Sequence, residues 1–293
     1  MIDLVGIASA SLTVGLLQAG AVLGLGASFR LMRFPDITVE GSFLIGAATW
    51  VACIFAGWNT SLATCMAAAA GAACGIVTAA LHRLLRIDRF LAGILVTAAC
   101  FSLALLTLGA SNVGLFDAPA PFSRGFDLTH HTAVTATAFA SVSAILVAWF
   151  FQTRIGLRAR AAAANPQMFQ SIMGRPFPYV AIGLAFTNAL AALSGTAFAR
   201  YQGFVDVGMG QGILITALAA LAIGETVTGW FRLPMIWVTV LSALLGSVLY
   251  QIALSTALAL GAPAATTRLV TAGLVLAFLA TQSRRGSPIE QPL

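Results

Sequence analysis

Charge is what this sequence most lacks. Fifteen basic and nine acidic residues make up 8% of 293, while 59% are apolar and the mean hydropathy is +0.95. A soluble domain carries about 25% charged residues, and so few charges cannot cover a chain of this length. Lipid is therefore the expected outer solvent, and the chain reads as an all-α polytopic membrane protein. Cysteine is scarce too. Cys53, Cys65, Cys74 and Cys100 stand in apolar stretches with no CxxC pair and no histidine at ligand spacing, so they read as small buried hydrophobes rather than a metal site.

Other absences exclude chemistry. No Gly-x-x-x-x-Gly-Lys-Ser/Thr loop occurs, so ATP binding in the P-loop manner is not expected. The run "GMGQG" (Gly208 to Gly212) lacks a preceding strand and the full dinucleotide-loop spacing. His82 sits beside Arg83 at a helix end, and His130 and His131 sit in an outer loop. None has a partner at metal spacing, and all three read as solvated. No Ser, His and Asp grouping suggests hydrolysis. The chain is expected to carry no catalytic residue, metal or cofactor of its own.

What is present is a series of apolar runs long enough to cross hydrocarbon, which takes about 20 residues of helix. They fall near 4–29, 38–56, 60–82, 90–110, 132–151, 178–199, 212–228, 234–258 and 265–281, within an expected range of 8–10 transmembrane helices. The first has Asp3 in place of a basic start and no clear cleavage site, and is expected to be retained. Small residues, as in Met66 to Gly75 and at Gly20, Gly24 and Ala27, suit close helix packing, either as scaffold or between two copies.

Arginine orients the chain. Arg30/Arg33, Arg83/Arg86/Arg89, Arg154/Arg158/Arg160/Arg175, Arg232 and Arg284/Arg285 fall in every second loop, while the alternate loops hold only Arg124, Arg200 and Arg268. The richer set is expected on the cytoplasmic side, which places the C-terminus inside, the segment from Asn112 to His131 outside, and the longest inner loop over 152–177.

A shift of 170 positions lays Arg30, Phe34 and Asp36 on Arg200, Phe204 and Asp206. With Arg30 inside and Arg200 outside, the copies have opposite orientation, as in inverted-repeat transporters. Each contains an interruption of carboxylates, hydroxyls and helix breakers, "RFPDITVEGS" (Arg33 to Ser42) and "YQGFVDVGMGQG" (Tyr201 to Gly212). Non-helical backbone at membrane depth is tolerated only against protein or a water-filled cavity. The expected solute-pathway residues are therefore Asp36, Thr38, Glu40, Ser42, Asn112, Asn188, Gln202 and Asp206. Two other roles suit these carboxylates, capping a broken helix or resting in the headgroup region. Glu225 reads as the end of its helix at the cytoplasmic face.

The inner loop, "TRIGLRARAAAANPQMFQSIMGRPFPYV" (Thr153 to Val180), has good helix formers broken once at Asn165-Pro166. Two short amphipathic helices are expected. They suit either a basic surface resting on headgroups or a docking element for another protein.

Gly156-Leu157-Arg158-Ala159 with Asn165-Pro166 and Gly174, followed by "GLAFTNALAALSGTAFARYQGF" and "ALAALAIGE", closely resembles the permeases of the branched-chain amino acid, ribose and basic-membrane-protein ABC importers. The likeness covers nearly the whole chain. "FPDITVEGSFLIGAA" (Phe34 to Ala48) and "FLAGILVTAACFSLALLTLGASNVGLF" (Phe90 to Phe116) are similar to a subgroup that pairs with a periplasmic binding protein, some of it assigned to tryptophan or other aromatic amino acids.

The resemblance implies a single permease domain over 1–293, with repeat halves of about 1–130 and 131–293, in a bacterial inner (plasma) membrane. It implies a second permease copy, expected as a homodimer, ABC ATPase subunits that bind ATP and magnesium, and a periplasmic or lipoprotein solute-binding protein. Nucleic acid is not an expected partner. Gly156, Leu157, Arg158, Ala159, Arg160, Asn165, Pro166 and Gly174 then form the ATPase-coupling loop. The chain departs from the family at "RARAAAANPQM", where relatives more often carry a glycine or an acid before Asn-Pro, a change that bears on the choice of ATPase rather than on docking. The family supplies no fixed list of solute ligands, so the pathway residues rest on polarity alone. The alternative reading is an ion-coupled secondary transporter with Asp36 and Asp206 as ion sites.

Overall fold

The computed structural model describes residues 4–116, 132–229, 234–261, 269 and 271–273. Backbone polar groups find no water in hydrocarbon, so each apolar run pairs them internally as helix. α1 (Leu4–Gly26) continues through a π-type turn (Ala27–Leu31). It is followed by α2 (Val39–Phe55), α3 (Thr60–Leu85) and α4 (Arg89–Leu108). A short strand β1 (Asn112–Gly114) precedes α5 (Thr132–Gln152), two surface helices α6 (Arg154–Ala164) and α7 (Pro166–Met173), and α8 (Phe177–Gln202). Strand β2 (Phe204–Asp206), a 3-10 turn (Val207–Gly210), α9 (Ile213–Thr228) and α10 (Met235–Ala259) complete the order.

Seven described helices are long and apolar enough to cross a membrane, and Val39–Phe55 is a shorter apolar helix. Eight of the nine expected spans coincide with these. All but a few residues of the ninth, 265–281, lie outside the described residues, as do Arg124, His130, His131, Arg232, Arg268, Arg284 and Arg285.

Helix directions follow from which residues meet. A side chain added at Gly24 of α1 would strike the Thr187 backbone, and Ser194 donates to Leu17 O at 2.6 Å, so α1 and α8 run antiparallel. Gly71 and Gly75 of α3 meet Asn188 and Leu184 of α8 and give a second antiparallel pair. α2 runs alongside α8, with Ser42 at Asn188 and Gly46 at Ala192. The small residues of α1 and α3 thus pack within the chain, backbone close to backbone, where lipid supplies no hydrophobic drive. α2 is the central element, with 12 of its 17 residues buried. The apolar residues of α4 (Phe90, Leu95, Leu103, Leu106) and α5 (Val142, Ile145, Trp149) face outward, as lipid-facing surfaces do.

These directions gather Arg30, Arg33, Arg83, Arg86, Arg89, Arg154, Arg158, Arg160 and Arg175 at one end of the bundle, and Arg200 at the other, over the Trp50 ring at 5.6 Å. The α1–break–α2 unit and the α8–break–α9 unit therefore have opposite orientation, and both repeat one local turn. Asp36 Oδ1 accepts from Thr38 N at 2.9 Å, and Asp206 Oδ1 accepts from Gly208 N at 2.7 Å, the same two-residue reach at positions 170 apart.

Two expectations are corrected. Cys65 is exposed and Cys53 and Cys74 are half-buried; only Cys100 is a buried hydrophobe, its sulfur 3.3 Å from that of Cys74. His82 is not simply solvated, since its Nδ1 lies 2.7 Å from Ile87 O and its ring meets Phe34 edge-on.

Candidate translocation pathway and coupling helices

The first break runs from Met32 to Thr38. Pro35 cannot donate a hydrogen bond and disfavours helix at Phe34, and Arg33 sits in the left-handed region at φ 54. The chain thus leaves the helix inside the protein, and its polar groups must be met by side chains. Asp36 meets them from the centre. Its Oδ1 takes the Thr38 amide, and its Oδ2 accepts from Asn188 Nδ2 at 2.6 Å. Asn188 also donates to Leu184 O at 2.9 Å and accepts from Ser42 Oγ at 2.7 Å. The Thr38 hydroxyl lies 2.7 Å from that of Thr78, and Thr97 donates to Ile37 O at 3.2 Å.

Asp36, Thr38, Ser42, Thr78 and Asn188 are all 0% exposed. They form one satisfied polar network that joins the first break to α2, α3 and α8, with α4 reaching it through Thr97. Leaving any member unpaired costs about 1–3 kcal/mol, so the network fixes where α2 begins.

The second break opens toward the other end. Gln202 Nε2 donates to Phe204 O at 2.9 Å, and Asn112 pairs with Asp206 in the antiparallel β1–β2 ladder. Of the eight expected pathway residues, four are therefore enclosed in the buried network and three (Asn112, Gln202 and Asp206) sit together at the end that carries Arg200. Glu40 joins the two breaks. Lying in the first turn of α2, it accepts from Gly212 N at 3.0 Å and Leu214 N at 3.2 Å, both through Oε1. Gly212, at φ +89, precedes α9 and has no side chain with which to cap it. The carboxylate from α2 supplies that cap and complements the positive helix end.

Sequence reasoning missed Thr78 and Thr97. Thr78 is the one signal of its kind in reach, the single hydroxyl in the second half of α3. Glu225, read as a helix end, does lie in the last turn of α9, where it also forms an ion pair with Arg30.

The surface helices are built with similar economy. Thr153 caps α6 at Gly156 N (3.2 Å), and Gly156 packs against the Phe150 backbone, where a side chain would not fit. Ala159 is buried beneath α6 and faces Gly183 of α8. Arg158 donates to Tyr179 OH at 3.1 Å, while Arg160 turns into a groove beside Arg30 and Arg33. Asn165 ends α6 and caps α7 through Met168 N at 3.0 Å, with Pro166 in the first helical turn. Within α7, Phe169 is buried against the Tyr179 ring at 5.5 Å. Around it, Met168, Ile172 and Met173 stay 60%, 67% and 58% exposed, and Leu157 of α6 is exposed as well. Gly174, at φ 86 and ψ −145, ends the helix in a conformation open to glycine.

Inverted broken helices around a small-residue core, with an apolar surface helix at the arginine-rich end, are features of a transport protein. The family described as the branched-chain amino acid transport system permease component matches residues 7–279. The chain belongs to that family. It is a multi-pass membrane permease, the component of an ABC-type transport system that spans the bilayer.

The permease is 32% identical over 270 residues to the tyrosine transport system permease protein of Clostridioides difficile (strain R20291), covering 92% of this chain and 89% of that one. It is 29% identical over 218 residues to an uncharacterised protein of Rickettsia prowazekii (strain Madrid E), covering 74% and 76% respectively. A solved inward-facing structure of an ABC transporter assigned to the metal-chelate type shares the fold, with TM-score 0.51 and 13% identity over 94% of this chain and 86% of that one. Membership of the family sets aside the ion-coupled reading.

Proposed function

We propose that this permease imports an aromatic amino acid across a bacterial plasma membrane, with its arginine-rich end and C-terminus in the cytoplasm. Two copies enclose the path, a binding protein delivers solute from outside, and a separate ATPase with bound ATP and magnesium docks on α7. The observation that carries the docking is the exposed apolar side chains of Met168, Ile172 and Met173 on a short helix bounded by Asn165, Pro166 and Gly174. An apolar helix face of this kind suits a groove on a partner. The name of the 32% identical relative supports an aromatic solute.

Transmission follows the packing. Phe169 and Arg158 both press on Tyr179, in the first turn of α8. α8 is one unbroken helix from that contact to the second break, and it carries Asn188 midway. A displacement of α7 when the ATPase closes therefore arrives at both breaks at once. Transport is a shift between two populated arrangements, biased by ATP and by loaded binding protein.

The test is the double variant Met168→Asp with Ile172→Asp, assembled with the ATPase and binding protein in lipid. ATPase stimulation by loaded binding protein disappears while the chain stays folded and monodisperse. Stimulation that persists at the unchanged level refutes docking through α7.

A further inference from the structure

A cavity of about 140 Å³ opens at the arginine-rich end, apart from both breaks' polar networks. Its walls come from four places: Phe34 of the first break, His82 and Arg83 with Arg89 at the α3–α4 turn, Pro166 at the α6–α7 junction, and Phe177 at the start of α8. It is mainly apolar, and among the described residues no carboxylate lines it. A cavity of about 150 Å³ accommodates one benzene ring.

The nitrogen-bearing side chains are placed unequally. Arg89 is held at the wall, stacked over Phe34 at 5.1 Å and donating to Arg33 O at 3.2 Å. His82 Nδ1 is committed to Ile87 O, which leaves Nε2. Arg83 is exposed at the rim. An aromatic body with one anionic end fits this lining. A zwitterion does not, because its ammonium would face two guanidinium groups with no acid to receive it.

We propose that this cavity is an inhibitory site, entered from the cytoplasm, for small aromatic carboxylates that lack an ammonium group. The 2-oxo acids formed when aromatic amino acids lose their amino group belong to this class. The solute delivered from outside does not, so the site distinguishes the cargo from its deaminated products. Occupancy ties Pro166 and Phe177 to Phe34 and holds the surface helices against the first break. That clamp opposes the α7 displacement. The inhibitory effect rests on the function proposed above, whereas binding itself does not.

The probe is 3-phenylpropanoate, titrated into the purified full chain in lipid nanodiscs, with 3-phenylpropan-1-amine as the cationic counterpart. The acid binds saturably and the amine does not. Arg83→Gln weakens the acid about tenfold or more, as expected for loss of a charge-assisted hydrogen bond. Arg83→Lys restores part of the affinity, and Arg86→Gln, outside the lining, leaves it unchanged. No saturable binding, equal binding of the amine, or equal loss in Arg86→Gln each overturns the site. In the assembled transporter, 3-phenylpropanoate on the cytoplasmic face lowers stimulated ATPase in the unchanged protein and not in Arg83→Gln. Binding without that loss overturns the inhibitory role. A chain that recruits no ATPase refutes the importer reading, while the binding arm still decides the site.

Discussion

Removing the Glu40 carboxylate should release the start of α9. One oxygen of Glu40 holds the Gly212 and Leu214 amides, and Gly212 offers no substitute. Loss of an N-cap costs about 0.5–2 kcal/mol, and a hydrogen bond to a charged group contributes about 1.5–3 kcal/mol. Glu40 is half-buried, so water replaces part of what is lost. For Glu40→Ala we take about 2 kcal/mol, which raises local opening about thirtyfold at about 1.4 kcal/mol per factor of ten. Glu40→Gln keeps a carbonyl acceptor and forfeits only the charge at the helix end, about 0.5 kcal/mol, a change of about two- to threefold. Amide hydrogen exchange over 207–216 reads this opening directly. Equal exchange in the two variants, or Glu40→Ala exchange unchanged over 207–216, would refute the cap.

Asn188→Leu strips partners from both Asp36 and Ser42. With about 1–3 kcal/mol for each buried group left unpaired, the unfolding midpoint in detergent falls by several degrees, and an unchanged midpoint would contradict the network. Gly174→Ala meets no neighbouring atom but forces a side chain into a backbone region reserved for glycine, a strain of about 1–3 kcal/mol. It should weaken ATPase stimulation without altering membrane insertion, and full stimulation would show that the α7 end tolerates another conformation.

The spans and the surface helices were legible because both rest on local rules. Apolar length decides a crossing, and the Asn165-Pro166 junction divides α6 from α7 as its turn chemistry requires. The breaks were legible too, since carboxylates with Pro35 in one and glycines in the other interrupt otherwise continuous apolar helix. What joined to what was not. Glu40 and Gly212 stand 172 positions apart, and no periodicity links a carboxylate to a glycine amide across that distance. Asp36 reads in sequence like Asp206, and both make the same turn, yet one is enclosed and the other lies at the end that carries Arg200. That difference is set by the neighbouring α3 and α8 rather than by the segment itself. Thr78 shows the same limit, because a hydroxyl in a helix most often bonds back to its own turn, as Thr78 also does with Cys74 O at 3.0 Å.

The Glu40 cap has a further consequence for motion. α9 begins on a group that belongs to the first repeat, and it ends on the Arg30 ion pair with the same repeat. Sliding one repeat past the other would expose helix-terminal amides where solvent is scarce to meet them. Within the chain the two repeats are thus bolted at both ends of α9, which leaves little freedom for one to slide past the other. In the two-copy assembly proposed above, each copy would then rock as one body, and the path would open and close between neighbours rather than through either of them.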